Sequence, residues 1–204
     1  MSTRNIVVLA NSVKHHQHCV AGKCLSTKEW IRPVSDAAGA ELTSVQASCR
    51  NKYGLFGVKP KQKVIVGLSH HSPLVNQPEN HVVDDSEWVQ NFRIADNQLL
   101  DLLDNPSDLW GTGDRVSYES ITTGFVSISQ SLYLVKVSSL KLYVPKIGKR
   151  RASFSYNDKP YDLAVTDPKF DEIVREGKEL EGILCISLGE AFESNCFKLV
   201  ATIF

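Results

Sequence analysis

The sequence predicts an all-β chain of two small barrels with two or three short helices, and three observations lead there. Short apolar runs rich in Val, Ile and Leu recur along the chain, too brief for helices and suited to buried strands. The cleanest alternation, Arg151 to Tyr156, sets Ala152, Phe154 and Tyr156 against Arg151, Ser153 and Ser155, the period of a strand with one face on a core. The second half then reads strand, strand, strand, capped helix, strand, strand.

In order, Ile6 to Ala10 is a β-branched run that suits a buried strand, followed by a polar loop, Lys14 to His18. Cys19 to Leu25 and Trp30 to Val34 form a hairpin whose second strand ends near Pro33, because proline cannot donate to a central ladder. Residues 36–60 show no clean period. Lys61 to Leu68 is a strand with a charged start, and His70 to Asp85 is a loop. Ser86 looks like an N-cap, and Leu99, Leu100, Leu102 and Leu103 recur at near-helical spacing. Residues 87–104 are therefore expected to be mainly helical, stopped by Asn105 and Pro106. Trp110 to Arg115 is turn-like.

Leu132 to Val137 and Leu140 to Val144 form one long strand, bent at a Ser-Ser break. Asn157 and Asp158 turn the next strand into Tyr161 to Val165. Thr166 or Asp167 caps a helix with Pro168 in its first turn, an apolar stripe of Phe170, Ile173 and Val174, and Gly177 at its end. Ile183 to Leu188 and Phe197 to Phe204 close the set. This order is that of an OB-type barrel, a fold that commonly binds single-stranded nucleic acid or a nucleotide on one strand face and its flanking loops. The expected division is a first barrel over 1–85, a helical and irregular connector over 86–128, and a second barrel over 129–204, the two packed together.

A chain of 204 residues accommodates two domains of roughly 100 residues. Lys+Arg and Asp+Glu cancel at 23 each. Zero net charge argues against coating duplex nucleic acid by bulk electrostatics and leaves room for a local basic patch and for self-association into a homo-oligomer. No apolar stretch approaches the ~18 residues that span a bilayer, and the first residues lack a signal-peptide pattern. Five cysteines, an odd number, read as reduced thiols, so a cytoplasmic protein is expected.

Several stretches, in order and spacing, resemble the dual OB-containing domain (DuOB) proteins of bacteria. They are Arg4 to Ser12, Cys19 to Gly22, Trp30 to Ser35, Gln77 to Asn80, Tyr161 to Pro168, Ser187 to Glu190 and Lys198 to Ala201, which together cover nearly the whole chain. The resemblance implies two linked OB-like barrels. It also implies a role in binding nucleic acid or a nucleotide, often in systems that counter phages and mobile elements. It brings no catalytic residue.

Among candidate site residues, Lys146, Lys149, Arg150 and Arg151 form the one basic run, with Phe154, Tyr156 and Tyr161 on the strands that follow. Cations on phosphates beside rings on bases is what a single strand needs. The competing reading is that alternating aromatics are core residues. Trp30 and Arg32 share a strand face, either as a base stack with a phosphate contact or as a structural Trp beside a paired Arg. Lys14 belongs to the first barrel's candidate ligand loop. His15, His18 and Cys19 are the ligands of a metal alternative, which no second Cys/His pair at finger-like spacing supports. Asp167 reads as a helix cap, and Asp162 has no assigned role.

The expected function is a non-catalytic binding protein for single-stranded nucleic acid or a nucleotide, without a cofactor, working beside a partner effector in a bacterial anti-phage or mobile-element system. Lys149, Arg150 and Arg151 would hold phosphates, and Tyr156, Trp30 or Tyr161 would stack. One rival is a protein-interaction module. The other is a metal-dependent hydrolase, which requires His15 to His18 to converge with His70, His71 or His81.

Overall fold

The computed structural model describes residues 2–14, 17–177 and 180–204, with only the backbone of Lys14. The chain divides into two compact units, Met1–Leu74 with Pro78–Leu102, and Val75–Gln77 with Leu103–Phe204. The stretch expected as a connector is thus shared, 86–102 belonging to the first unit and 103–128 to the second.

The first unit contains β1 (Ser2–Lys14), β2 (Gln17–Cys24), β3 (Trp30–Val34), β4 (Ser48–Asn51), β5 (Gly54–Gly57), β6 (Gln62–His71), β7 (Asn80–Val83) and β8 (Trp88–Arg93). Five of them close a ring in the order β1-β2-β3-β7-β6 and back to β1. In β1, Ile6 faces Cys24 on one side and Val64 on the other. All ring pairings are antiparallel except β3–β7, where Arg32 lies beside Asn80. From β6 the sheet continues outward through β8 and β4 to β5 at the edge. Ile6, Val8, Val20, Ile31, Val64, Val66 and Leu68 fill the ring, and Trp88 and Cys49 extend its core. Ile6 to Ala10 is buried on both faces, so it reads as a continuous apolar run without alternation. Gly22 permits a close approach of backbone to backbone: a Cβ there would lie 2.3 Å from the Val7 carbonyl oxygen.

Three expectations change here. His70 to Asp85 is not all loop: Asn80–Val83 is β7, held between β3 and β6 in the ring. Residues 87–104 are not mainly helical: Trp88–Arg93 is a strand between β6 and β4, and only Asp96–Leu102 coils, as a 3-10 helix. Ser86, read as a helix cap, instead donates its backbone N–H to the Asp84 carboxylate in a local turn (2.9 Å). The buried leucines of the coil, Leu99 and Leu102, are three apart, the repeat of a 3-10 turn. The aperiodic stretch 36–60 contains the β4–β5 hairpin, whose strands are too short to show a period.

The second unit contains β9 (Arg115–Ser117), α1 (Tyr118–Thr122), β10 (Leu132–Lys136), β11 (Ser138–Tyr143), β12 (Arg151–Tyr156), β13 (Lys159–Val165), α2 (Phe170–Glu176), β14 (Ile183–Phe192) and β15 (Asn195–Ile203). The sheet order is β10-β14-β15-β13-β12-β11, with β9 also on β15. The first and last strands of that order are consecutive segments separated only by Val137, whose N–H donates to the Gly182 carbonyl (2.7 Å). Chain continuity therefore brings the sheet round on itself. Again one ring pairing is parallel, β13–β15, with Ala164 beside Leu199. The β12–β13 turn is tight because Asn157 and Asp158 both take positive φ (47° and 59°), as a type I′ turn requires.

Phe154, Tyr156, Tyr161, Leu163, Val165, Leu184, Ile186 and Val200 form the core, with Phe170 and Ile173 of α2 packed in. Val174, expected in the same stripe, is 48% exposed. Asp167 lies before α2 and is buried. Its carboxylate accepts the backbone N–H of Lys169 (2.8 Å) and of Ile203 (2.9 Å), fastening the helix entry to the last strand. Burial pushes that carboxyl upward while the two amides pull it down. A satellite core of Val116, Ile121, Ile128, Leu188 and Cys196 binds α1 to the outer part of the β14–β15 hairpin.

Gly22→Ala should lower the stability of the first unit by about 2–3 kcal/mol, because the obstacle is backbone and cannot rotate away. Asp167→Ala strands two amides and should cost the second unit about 2–4 kcal/mol. Urea unfolding of each variant against wild type measures both.

Candidate functional site

In an OB-type barrel the ligand face is the outer side of the second and third strands, with the loops after the first and fourth strands at its rims. The two barrels differ there. In the first, every side chain of β3 and the last five of β2 are buried. The Lys23 ammonium donates to the Leu102 carbonyl at 2.7 Å, so the end of the 3-10 helix lies over β2, and it also sits 5.3 Å from the Trp30 ring centroid. Trp30 is 5% exposed, and Arg32 pairs with Glu79 at 3.8 Å, both side chains buried. The base-stack and phosphate reading of Trp30 and Arg32 gives way to the structural one. The Lys14 side chain, His15 and His16 lie outside the described residues.

In the second barrel this face is open. Lys141 and Tyr143 of β11, Arg151, Ser153 and Ser155 of β12, and Asp162 of β13 share it, with Tyr143 opposite Arg151 and Ser153 opposite Asp162. Asp162, unassigned from the sequence, organises the group. Its carboxylate accepts from Arg151 Nε (3.1 Å) and from the Tyr143 hydroxyl (2.7 Å), and its carbonyl accepts from Arg151 Nη2 (2.6 Å). The bond to Asp162 raises the Tyr143 phenol above its ordinary value. Tyr143 is the aromatic side chain on this face, and sequence reasoning passed over it. Parity would have found it, since its cross-strand partner Arg151 opposes the apolar phase of β12.

The loop from β11 to β12 projects Val144 and Ile147, 59% and 95% exposed, among Lys146 and Lys149. The basic run divides by task. Arg150 pairs with Asp171 and lies 5.5 Å from the Phe170 ring, holding α2 to the barrel. Arg151 is committed to Asp162. Lys146 and Lys149 are exposed and make no ion pair among the described residues.

Tyr156 and Tyr161 do not stand on the ligand face. They point inward, 6% and 3% exposed, and their hydroxyls hold a loop, 106–114, over one end of the barrel. Tyr156 donates to the Pro106 carbonyl (2.8 Å) and Tyr161 to that of Gly111 (3.2 Å). Lys198, 1% exposed, reaches the same loop from inside and donates to the carbonyls of Gly111 (2.7 Å) and Thr112 (3.0 Å). Desolvation lowers its ammonium to about 8, against the opposing pull of Asp108 and Asp114. The rings read as base stackers are thus core residues with a polar tip, because they share the phase of Ala152.

The described histidines fall into separate groups. His18 meets Asn11 (2.9 Å) and Ser44 (3.4 Å), while the His71 and His81 rings lie 4.7 Å apart across the β6–β7 pair. Cys19 is half-buried and Cys24 is in the first core. Among the described residues no three His, Cys, Asp or Glu side chains gather as a metal would need.

A family model described as Dual OB-containing domain matches residues 4–203, essentially the whole chain. No curated protein and no solved structure matches. No helix among the described residues is long and apolar enough to cross a membrane.

Lys198→Met should cost about 2 kcal/mol, since the Gly111 and Thr112 carbonyls lose a charged donor and Gly111 keeps only the Tyr161 hydroxyl. Its signature is in the pH dependence. Between about 8 and the ordinary 10.5 the unfolded chain holds a proton on this lysine that the folded chain lacks, so wild-type stability gains from this group as pH rises. Urea midpoints measured from pH 7.5 to 9.5 should show that contribution in wild type and lose it in Lys198→Met.

Proposed function

The chain belongs to the dual OB-containing domain family, and from that membership we propose a non-catalytic binding protein that takes single-stranded nucleic acid on the open face of its second barrel. One observation carries the reading: the OB-type ligand face is closed by the protein's own side chains in the first barrel and open in the second, beside two lysines without carboxylate partners among the described residues. Lys146 and Lys149 supply the phosphate contacts, with Tyr143 as the stacking ring and Ile147 as an apolar finger at the loop tip. Arg151 and Asp162 together form a polar floor whose charges cancel. A nucleotide would use the same groups. The protein then acts as a sensor or accessory beside an effector, in keeping with its zero net charge, since affinity comes from a small patch and not from the whole surface.

A second reading, a protein-interaction module, is favoured by β5. This edge strand exposes Leu55 and Phe56 (47% and 48%), with Tyr53 beside it at 77%. A cleft of about 290 Å³ lined by Leu55, Trp88, Asp84 and Asp85 adjoins it. An extended partner segment with basic side chains would add a strand there.

Lys146→Glu/Lys149→Glu is the discriminating variant, because it leaves the Arg150–Asp171 and Arg151–Asp162 pairs intact. Fluorescence anisotropy with labelled single-stranded DNA and RNA should show wild-type binding that weakens with salt. The variant should bind at least tenfold less tightly, with a log–log salt slope shallower by about 0.7 for each phosphate it no longer neutralises. A folded wild type that binds neither strand at micromolar concentration overturns the reading in favour of the second.

A further inference from the structure

The loop over the end of the second barrel has an unusual middle. Trp110 takes a positive φ of 54°, a conformation that a bulky side chain adopts only under constraint, and Gly111 and Gly113 follow at 81° and 72°. The constraint is visible: Lys198 and Tyr161 hold the Gly111 carbonyl, and the Asp108 carboxylate accepts the Gly111 N–H (2.8 Å). The result is an indole fixed at both ends. Its Nε1–H donates to the Gln130 carbonyl (2.9 Å), and its ring stacks on Tyr133 with centroids 4.5 Å apart.

These two rings, with Asp108, Ser127, Val126 and Pro106, line a cleft of about 280 Å³. That volume lies just below the roughly 300–1,000 Å³ typical of small-molecule sites, enough for one planar ring system and little more. Its chemistry is specific. The wall is aromatic, and the carboxylate beside it is bound to Lys159 at 2.9 Å, leaving further lone pairs as acceptors. The Gly111 amide, then Lys159, hold the Asp108 carboxyl below its ordinary range, so it remains an anion that accepts N–H donors and repels phosphate. The cleft adjoins the β12–β13 turn: Asn157 donates to the Pro106 carbonyl (3.1 Å), and Lys159 begins β13. The lysine loop lies at the other end of β12, six residues or about 20 Å away.

We infer that this cleft receives one nucleobase of the bound strand, stacked on the Trp110–Tyr133 pair with its N–H edge on Asp108. Guanine fits best, because it presents a ring N–H and an exocyclic amino group side by side to a carboxylate. The inference rests on the strand-binding reading above and adds a base-selective pocket at the far end of the face. Trp110, Tyr133 and Asp108 are its residues, while Lys198 and Tyr161 are positioning residues that hold the loop.

The test uses the full ¹⁵N-labelled chain and its indole N–H resonances, that of Trp110 assigned with Trp110→Phe. Guanosine, uridine and a labelled single-stranded hexamer containing one guanine are the probes. Guanosine should shift the Trp110 indole saturably and leave those of Trp30 and Trp88 in place, and uridine should bind more weakly. Tyr133→Leu should weaken guanosine about tenfold or more by removing half of the stack. Asp108→Asn, nearly isosteric, should erase the preference for guanosine over uridine even if Tyr133→Leu fails to fold. Hexamer binding by anisotropy with Trp110 unmoved by either ligand overturns the pocket and leaves the strand face standing. Guanosine binding at Trp110 without hexamer binding overturns the strand face and its link to the pocket. Silence from both probes overturns both.

Discussion

A closed ring of five strands cannot alternate direction all the way round, because an odd ring leaves one neighbouring pair running the same way. Both units meet that constraint at the same point, between the third and fifth ring strands: β3 with β7, and β13 with β15. Parallel neighbours need a long crossover, since no tight turn can join them. The first unit spends that crossover on residues 35–61, which contain the β4–β5 hairpin, and the second spends it on α2. The extra sheet of one unit and the packed helix of the other are different answers to one topological demand.

The same closure determines which side chains can reach a ligand. Each ring strand has one phase committed to the interior, so only the opposite phase is available outside. In β12 the interior phase takes Ala152, Phe154 and Tyr156, leaving Arg151, Ser153 and Ser155 to the outer face. The open end of the second barrel is covered from within, by two tyrosine hydroxyls and a buried ammonium that reach past the core to loop carbonyls. Those hydrogen bonds keep 106–114 in a strained path and present Trp110 beside Tyr133. The polar tips of core residues thus shape the surface over the barrel end, where Leu109 enters the core and Trp110 and Tyr133 pack against it.

Charge follows a parallel logic. The basic run from Lys146 to Arg151 is uniform in sequence and divided in space. Arginines at the strand end find carboxylates on neighbouring elements, Asp171 and Asp162, and become structural. Lys146 and Lys149, on the loop between β11 and β12, stay exposed and make no ion pair among the described residues.

The sequence by itself determined the strand order of the second barrel, its Asn157–Asp158 turn, the bend near Val137, and the all-β class of the whole. These are local signals: a period of two, and turn residues that tolerate positive φ. It also set the basic run ahead of the strands that carry Phe154, Tyr156 and Tyr161, where β12 begins at Arg151. Only the tertiary structure decided that Trp88–Arg93 is a strand, that Trp30 and Arg32 are covered, and that Tyr156 and Tyr161 face inward while Tyr143 faces out. Periodicity reports that a strand has two faces and is silent on which one a distant segment will cover. The 3-10 helix over β2 and the loop over the barrel end are such segments. They are held by Lys23 at Leu102 and by Lys198 at Gly111, hydrogen bonds between residues 79 and 87 positions apart. No local window contains both partners of either bond.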